Sequence, residues 1–171
     1  MEQLIRNGLE AMDLLPQTPD RAPAQLAEYG RLLLEKNQVM NLTAITEPER
    51  VAQLHMLDSA ALLKGADFQD KTLIDVGTGA GFPGIPLKIL VPSLQVTLLD
   101  SLNKRVDWLG QVCAQLGLEA SGPSTPGRRS RPWSRAFGTA STLPPPAQWL
   151  TCACCVSCVC PTSRWAGCSW P

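Results

Sequence analysis

The sequence predicts an α/β fold in which a helical cap precedes the opening of a parallel sheet, and three observations carry that prediction. Apolar residues recur at helical spacing through the first third of the chain. From residue 72, two short β-rich runs alternate with helix-like stretches. The first of those runs leads straight into a glycine-rich turn, DVGTGAGFPG, at residues 75–84. A chain of 171 residues is long enough for one domain with a buried core.

Taken in chain order, residues 4–15 carry one helical stripe, and Leu26, Tyr29 and Leu33 carry a second. Thr46-Glu47-Pro48-Glu49 combines a capping box with a proline in the first turn. It predicts a third helix with Val51, Leu54, His55, Asp58 and Leu62 facing inward. Thr72–Val76 (TLIDV) and residues 96–99 (VTLL) read as strands, followed by helices over Gly84–Leu90 and 103–116. Val106, Leu109, Cys113 and Leu116 form the expected inner face of the last helix, and Gly117 occupies the position of a helix C-terminal glycine. The expected organisation is a helical cap over 1–65, a sheet-forming part over 66–120 and a tail over 121–171.

Formal net charge is zero over the whole chain, but residues 1–120 hold ten basic against fifteen acidic residues, a net −5. That balance alone does not mark a nucleic-acid binder. No charged segment followed by an apolar one opens the chain, and no apolar run approaches the roughly 18 residues of a membrane span. The expectation is a soluble, cytoplasmic monomer with no membrane partner.

GAGFPG within the turn is a literal G-x-G-x-x-G, the pattern of a dinucleotide site. A methyl-donor loop shares its geometry: glycines let the backbone turn sharply and approach a ligand, and an acid closing the next strand takes ribose hydroxyls. Asp100, at the end of VTLLD, is that acid and suits either ligand. Asp75 discriminates between them. Its carboxylate would repel a pyrophosphate but suits S-adenosylmethionine, which has no phosphate and carries a sulfonium and an ammonium group. The frame D-x-G-x-G-x-G, with Gly77, Gly79 and Gly81, therefore outweighs the shifted dinucleotide pattern. A nicotinamide-dependent oxidoreductase is the rival enzyme reading, and a glycine-rich turn with no ligand is the plainest one.

Several segments in order resemble one family. They are Tyr29 with Leu32-Leu33 leading to Asn41-Leu42-Thr43, then His55-Met56-Leu57-Asp58-Ser59, then IDVGTGAGFPGIPLKI, then LLDSLNKRV with Asp100, Ser101, Lys104 and Arg105. Over 1–120 the chain resembles the bacterial small-subunit rRNA guanine-N7 methyltransferases, the RsmG or GidB family. The glycine loop is common to many methyltransferases, whereas FPGIPLKI and HMLDS are much more specific. The resemblance implies a Rossmann-like class I fold with S-adenosylmethionine as cofactor. It also implies methylation of one guanine N7 in the 530 loop of 16S rRNA, with the small ribosomal subunit as partner. Guanine N7 already offers a lone pair, so the transfer needs in-line placement and a dry pocket more than a general base; no catalytic base is assigned. By position, the resemblance places Asp75, Gly77, Gly79, Gly81 and Phe82 at the methionine and backbone side of the cofactor and Asp100 at its ribose.

His55, the only histidine, and Asp58 lie one turn apart, with Ser59 beside them. Two readings stand: a His55–Asp58 hydrogen bond that ties the cap to the sheet, or a pair lining the pocket. Asn41 either lines that pocket or closes a turn before Leu42-Thr43. Lys104 and Arg105 open a helix on the carboxyl side of the sheet, either to meet RNA phosphate or as a solvated helix start.

After Glu119 the composition breaks. Residues 121–171 contain no Asp, Glu, Lys, Asn, Ile, Met, Tyr or His, and six of the seven cysteines fall in the last 20 residues. Cys152, Cys154, Cys155, Cys158 and Cys160 suggest a metal-binding interaction module, but they are crowded and lack a second separated pair; no metal is expected. The genetic code supplies another explanation. Written as codons and read from each third base, residues 159–171 permit LPYVKVGGLFLA, and residues 124–130 permit HARAEE. Residues 146–158 likewise permit RAVANLRLLCELC. These resemble later segments of the same family. The expectation is a frameshift near residues 119–121 that truncates the sheet and replaces the C-terminal half with an out-of-frame, disordered tail.

Overall fold

The computed structural model describes residues 1–118 and 149–151. The remaining tail, with its cysteine cluster and the disorder expected of it, lies outside the described residues.

The cap begins with α1 (Glu2–Ala11), a 3-10 turn at Leu15–Gln17 and α2 (Ala22–Asn37). Ile5 and Leu9 of α1 and Leu26, Tyr29 and Leu33 of α2 are fully buried, as their helical spacing predicts. The third helical segment runs from Pro48 to Lys64 but is not uniform. It comprises α3 (Pro48–Val51), a π-helical stretch (Ala52–Leu57), α4 (Asp58–Ala61) and a closing 3-10 turn (Leu62–Lys64).

That segment departs from expectation twice. The capping box does not form: Glu47 is the N-cap and makes no side-chain cap bond. Pro48 takes the first helical position, which suits its fixed φ, and this leaves Thr46 one residue too early to cap. The inward stripe also shifts. Val51, Ala52, Met56, Ser59 and Ala60 are buried, whereas Leu54 and Asp58 are exposed. The wider π turn carries an extra residue and so rotates the positions that follow it.

The sheet starts with β1 (Thr72–Val76), and α5 (Gly84–Leu90) leads to β2 (Gln95–Leu99). β1 and β2 pair in parallel from Thr72↔Gln95 to Val76↔Leu99. α6 (Asn103–Gln115) follows and ends in a Schellman arrangement. There Gly117 adopts φ +62, its N–H donates to the Ala114 carbonyl, and the Leu118 N–H donates to that of Cys113. The buried face of α6 is Trp108, Leu109, Val112 and Leu116; Val106 and Cys113 are only half-buried, so the face is rotated from the expected one to bury Trp108.

A third strand, β3 (Trp149–Thr151), pairs in parallel with β1, giving the order β2-β1-β3. Three residues from the segment read as a tail therefore join the sheet, which is not confined to the two strands before residue 120. Backbone pairing with β1 accounts for their place.

Cap and sheet share one hydrophobic core that runs without a break from Ile5 to Leu116. α5 packs on α2 and α4 as well as on β1 and β2, and Gln25 Nε2 donates to the Leu116 carbonyl across 2.9 Å. The helical cap thereby sits directly against the glycine loop between β1 and α5. No helix among the described residues is long and apolar enough to cross a membrane.

Candidate functional site

The loop between β1 and α5 is fastened at several points. Gly77 N–H and Thr78 N–H both donate to the Leu99 carbonyl at the end of β2, at 2.8 and 3.0 Å. Gly77, Gly79 and Gly81 have φ of +76, +56 and +96, a region that disfavours side chains.

The glycines differ in what surrounds them. Among the described residues, a Cβ at Gly77 would meet nothing within 4 Å, and one at Gly79 only the Gly77 carbonyl at 3.8 Å. One at Gly81 would lie 2.7 Å from both Ile85 Cδ1 and the Tyr29 hydroxyl. One at Gly84 would lie 2.5 Å from Leu98 Cδ2 and 2.9 Å from Asp75 Oδ2. The first two glycines thus border open space where a ligand backbone can approach, and the last two admit close packing.

Asp75 is 1% exposed. Its Oδ2 accepts from Thr78 Oγ1 at 2.8 Å and from the Gly84 N–H at 3.1 Å. Its Oδ1 is buried and takes no hydrogen bond from the described residues. Burial pushes its pKa up to about 6, against the opposing effect of those two hydrogen bonds. An incompletely compensated buried carboxylate favours a cationic or hydrogen-donating ligand.

Asp100, at the end of β2, holds the same loop from the other side. Its Oδ2 accepts from the Gly79 N–H at 2.9 Å and its Oδ1 from the Leu102 N–H at 2.8 Å. Arg105 Nη1 lies 3.6 Å from Oδ2. A carboxylate has about four acceptor sites, so Oδ1 keeps one for a further donor. Arg105 is therefore engaged with Asp100, while Lys104 is exposed at the start of α6.

The cap meets the loop through aromatic groups. The buried Tyr29 hydroxyl donates to the Ala80 carbonyl, and burial holds that phenol well above its ordinary pKa. The Tyr29 ring lies 5.3 Å from that of Phe82. His55 stacks on Phe82 with centroids 4.5 Å apart and planes 13° from parallel. Its Nε2 pairs with Thr43 Oγ1 at 2.9 Å, and burial lowers its pKa despite the nearby Asp58 carboxylate.

The expected His55–Asp58 hydrogen bond is absent; Thr43 takes that place, and Asp58 points outward because the π turn rotates it. Ser59 is buried and donates to the His55 carbonyl at 2.6 Å. Asn41 is exposed and does not close the turn before Leu42-Thr43. Asn37 does so: its Oδ1 accepts from the Leu42 and Thr43 N–H groups, and its Nδ2 donates to the Thr43 carbonyl. Asn37, Thr43, Thr78 and the contacts of Tyr29 were not legible as site features. Only for Asn37 was a signal available, an Asn at a helix end that can bond the following backbone.

Among the described residues there is no group of three His, Cys, Asp or Glu able to hold a metal ion.

The family model described as rRNA small subunit methyltransferase G, GidB, matches residues 22–122. The chain is similar to the ribosomal RNA small subunit methyltransferase G of Alkaliphilus metalliredigens (strain QYMF), at 55% identity over 119 residues. That match covers 69% of this chain and 49% of the relative. It is 56% identical over 92 residues to the protein of that name from Clostridium botulinum (strain Eklund 17B / Type B), covering 53% of this chain and 38% of the relative. The chain thus spans about half or less of the length of the relatives it matches.

Proposed function

This chain belongs to the rRNA small subunit methyltransferase G family, and on that premise we propose that its glycine loop binds S-adenosylmethionine for methyl transfer to RNA. The substrate in this reading is 16S rRNA within the small ribosomal subunit, and the methylated atom is one guanine N7 of the 530 loop. The single observation that carries the donor reading is Asp75. It is a buried carboxylate with one oxygen unpartnered among the described residues, next to two glycines that face open space among those residues.

S-adenosylmethionine supplies an electrophilic methyl group on a cationic sulfur. Everything else falls to the protein. Asp75 offsets the ligand's positive charge in a low-dielectric site, and a dinucleotide pyrophosphate would meet repulsion there. Gly77 and Gly79 allow the ligand to reach the backbone, and Asp100 keeps acceptor capacity for ribose hydroxyls. Phe82, backed by Tyr29 and His55, gives an apolar wall that excludes water. With a nucleophilic N7 lone pair, holding the reacting atoms in line is the main catalytic task, so no proton acceptor is assigned.

The out-of-frame tail belongs to the same reading. The family match ends at residue 122, beside the composition break, and the alternate frame restores family-like segments. The test is titration of the frame-restored protein with S-adenosylmethionine by calorimetry. It should bind, and Asp75→Ala should weaken binding at least about tenfold through the lost charge partner. Tight NAD binding with no response to S-adenosylmethionine would overturn the proposal.

A further inference from the structure

The cap holds the glycine loop by more than apolar packing. Tyr29 bonds the Ala80 carbonyl, and one residue pair further along, His55 lies flat on Phe82. The His55 ring has its own support. Asn37 makes three hydrogen bonds that order the backbone at Leu42 and Thr43. The Thr43 hydroxyl accepts the Ile45 N–H at 3.1 Å and pairs with His55 Nε2 at 2.9 Å. The π turn between Ala52 and Leu57 brings His55 to this place, where the regular helical spacing read from the sequence misplaces its neighbours.

From this geometry we propose that His55 is a positioning residue for the glycine loop. It acts through its ring, which lies flat on Phe82. The inference deepens the methyl-donor reading and rests on it for the ligand, but its structural content concerns the loop alone. His55 touches neither Asp75 nor the loop glycines in the hydrogen-bond network; its influence runs through the stacked pair. The stack and the Thr43 bond make separate demands on the side chain, so substitutions can divide them. Phenylalanine keeps a ring and loses the bond, whereas glutamine keeps a polar terminus and loses the ring.

The experiment is amide hydrogen exchange on the full 171-residue chain and its variants, without ligand. The readout is the Gly81 and Phe82 N–H groups, both of which donate to the Thr78 carbonyl. His55→Ala and His55→Gln should speed exchange at both amides about tenfold relative to the β1 amides, as expected for loss of an aromatic pair. His55→Phe should restore the wild-type rates. Leu54→Ala, an exposed neighbour on the same turn, should leave them unchanged. The His55 Cε1 proton, belonging to the only histidine, should also lose its ring-current shift in Phe82→Leu. Equal exchange in wild type and His55→Gln would overturn the inference. So would failure of His55→Phe to rescue, or an equal loss in Leu54→Ala. The cofactor titration described above judges the methyl-donor reading independently, so either can fail without the other.

Discussion

At Asp75 a carboxylate is buried with two hydrogen bonds on one oxygen and none from the described residues on the other. Its pKa rises from 3.8 to about 6, and burial is the main cause. Between those values the folded protein keeps a proton that the unfolded chain has released. This contribution to stability therefore falls as pH rises from about 4 to about 6 and is level above that. The whole descent amounts to at most about 3 kcal/mol. Asp75→Asn keeps an acceptor for Thr78 and Gly84 and removes the charge. Urea denaturation should show the variant without this descent and more stable than wild type at pH 7, while its affinity for S-adenosylmethionine falls. Parallel stability curves for the two proteins between pH 4 and 7 would contradict the assignment. Stability given up to hold an under-compensated charge is what the ligand-binding role proposed for Asp75 entails.

The elements around the loop divide the glycines by task. Gly77→Ala places a methyl group where no described residue lies within 4 Å, so its stability cost should be limited to the positive φ, about 1–2 kcal/mol. Cofactor affinity should suffer more, because in the proposed reading that space is where the ligand approaches. Gly81→Ala pays the same kind of backbone cost and also drives a methyl into Ile85, the Tyr29 hydroxyl and Leu109. Its total should reach about 3 kcal/mol or more. Thermal unfolding of the two variants should rank Gly81→Ala well below Gly77→Ala; the opposite order would refute the division. The bounds of β1 and α5 were legible because a strand, a glycine turn and a short apolar helix announce themselves locally. The inner face of the third helix was not, because an i→i+5 turn leaves no mark in a pattern read at the usual helical spacing.

For the whole molecule, the hydrophobic core unites cap and sheet, and the parallel sheet has Leu73 and Asp75 buried on the α5 side while Ile74 and Val76 stay half-buried. Parallel sheets ordinarily have both faces covered. In the proposed reading the frame-restored C-terminal half completes that cover and the donor pocket. The expected outcome is that the chain as it stands transfers no methyl group to small ribosomal subunits, whereas the frame-restored protein does. A misplacement of about an ångström already costs on the order of a hundredfold in rate. Methyl transfer by both proteins, mapped on 16S rRNA by reverse-transcription stops, decides the matter. Equal transfer would mean that the tail as written is functional.

Taken alone, the amino-acid sequence determined the order of helices and strands, the glycine loop with its two acids, and the break in composition after residue 119. Each of these is written in neighbouring residues: periodicity, turn chemistry and charge act over a few positions, so a linear reading recovers them. Tertiary structure alone decided that His55 pairs with Thr43 rather than Asp58 and lies on Phe82. It also decided that Asn37 rather than Asn41 closes the turn, that Gly81 is a packing glycine while Gly77 is open, and that Trp149–Thr151 lies beside β1. Those outcomes depend on groups far apart in the chain competing for the same hydrogen-bond partners and the same space, and that competition is settled only when the elements pack.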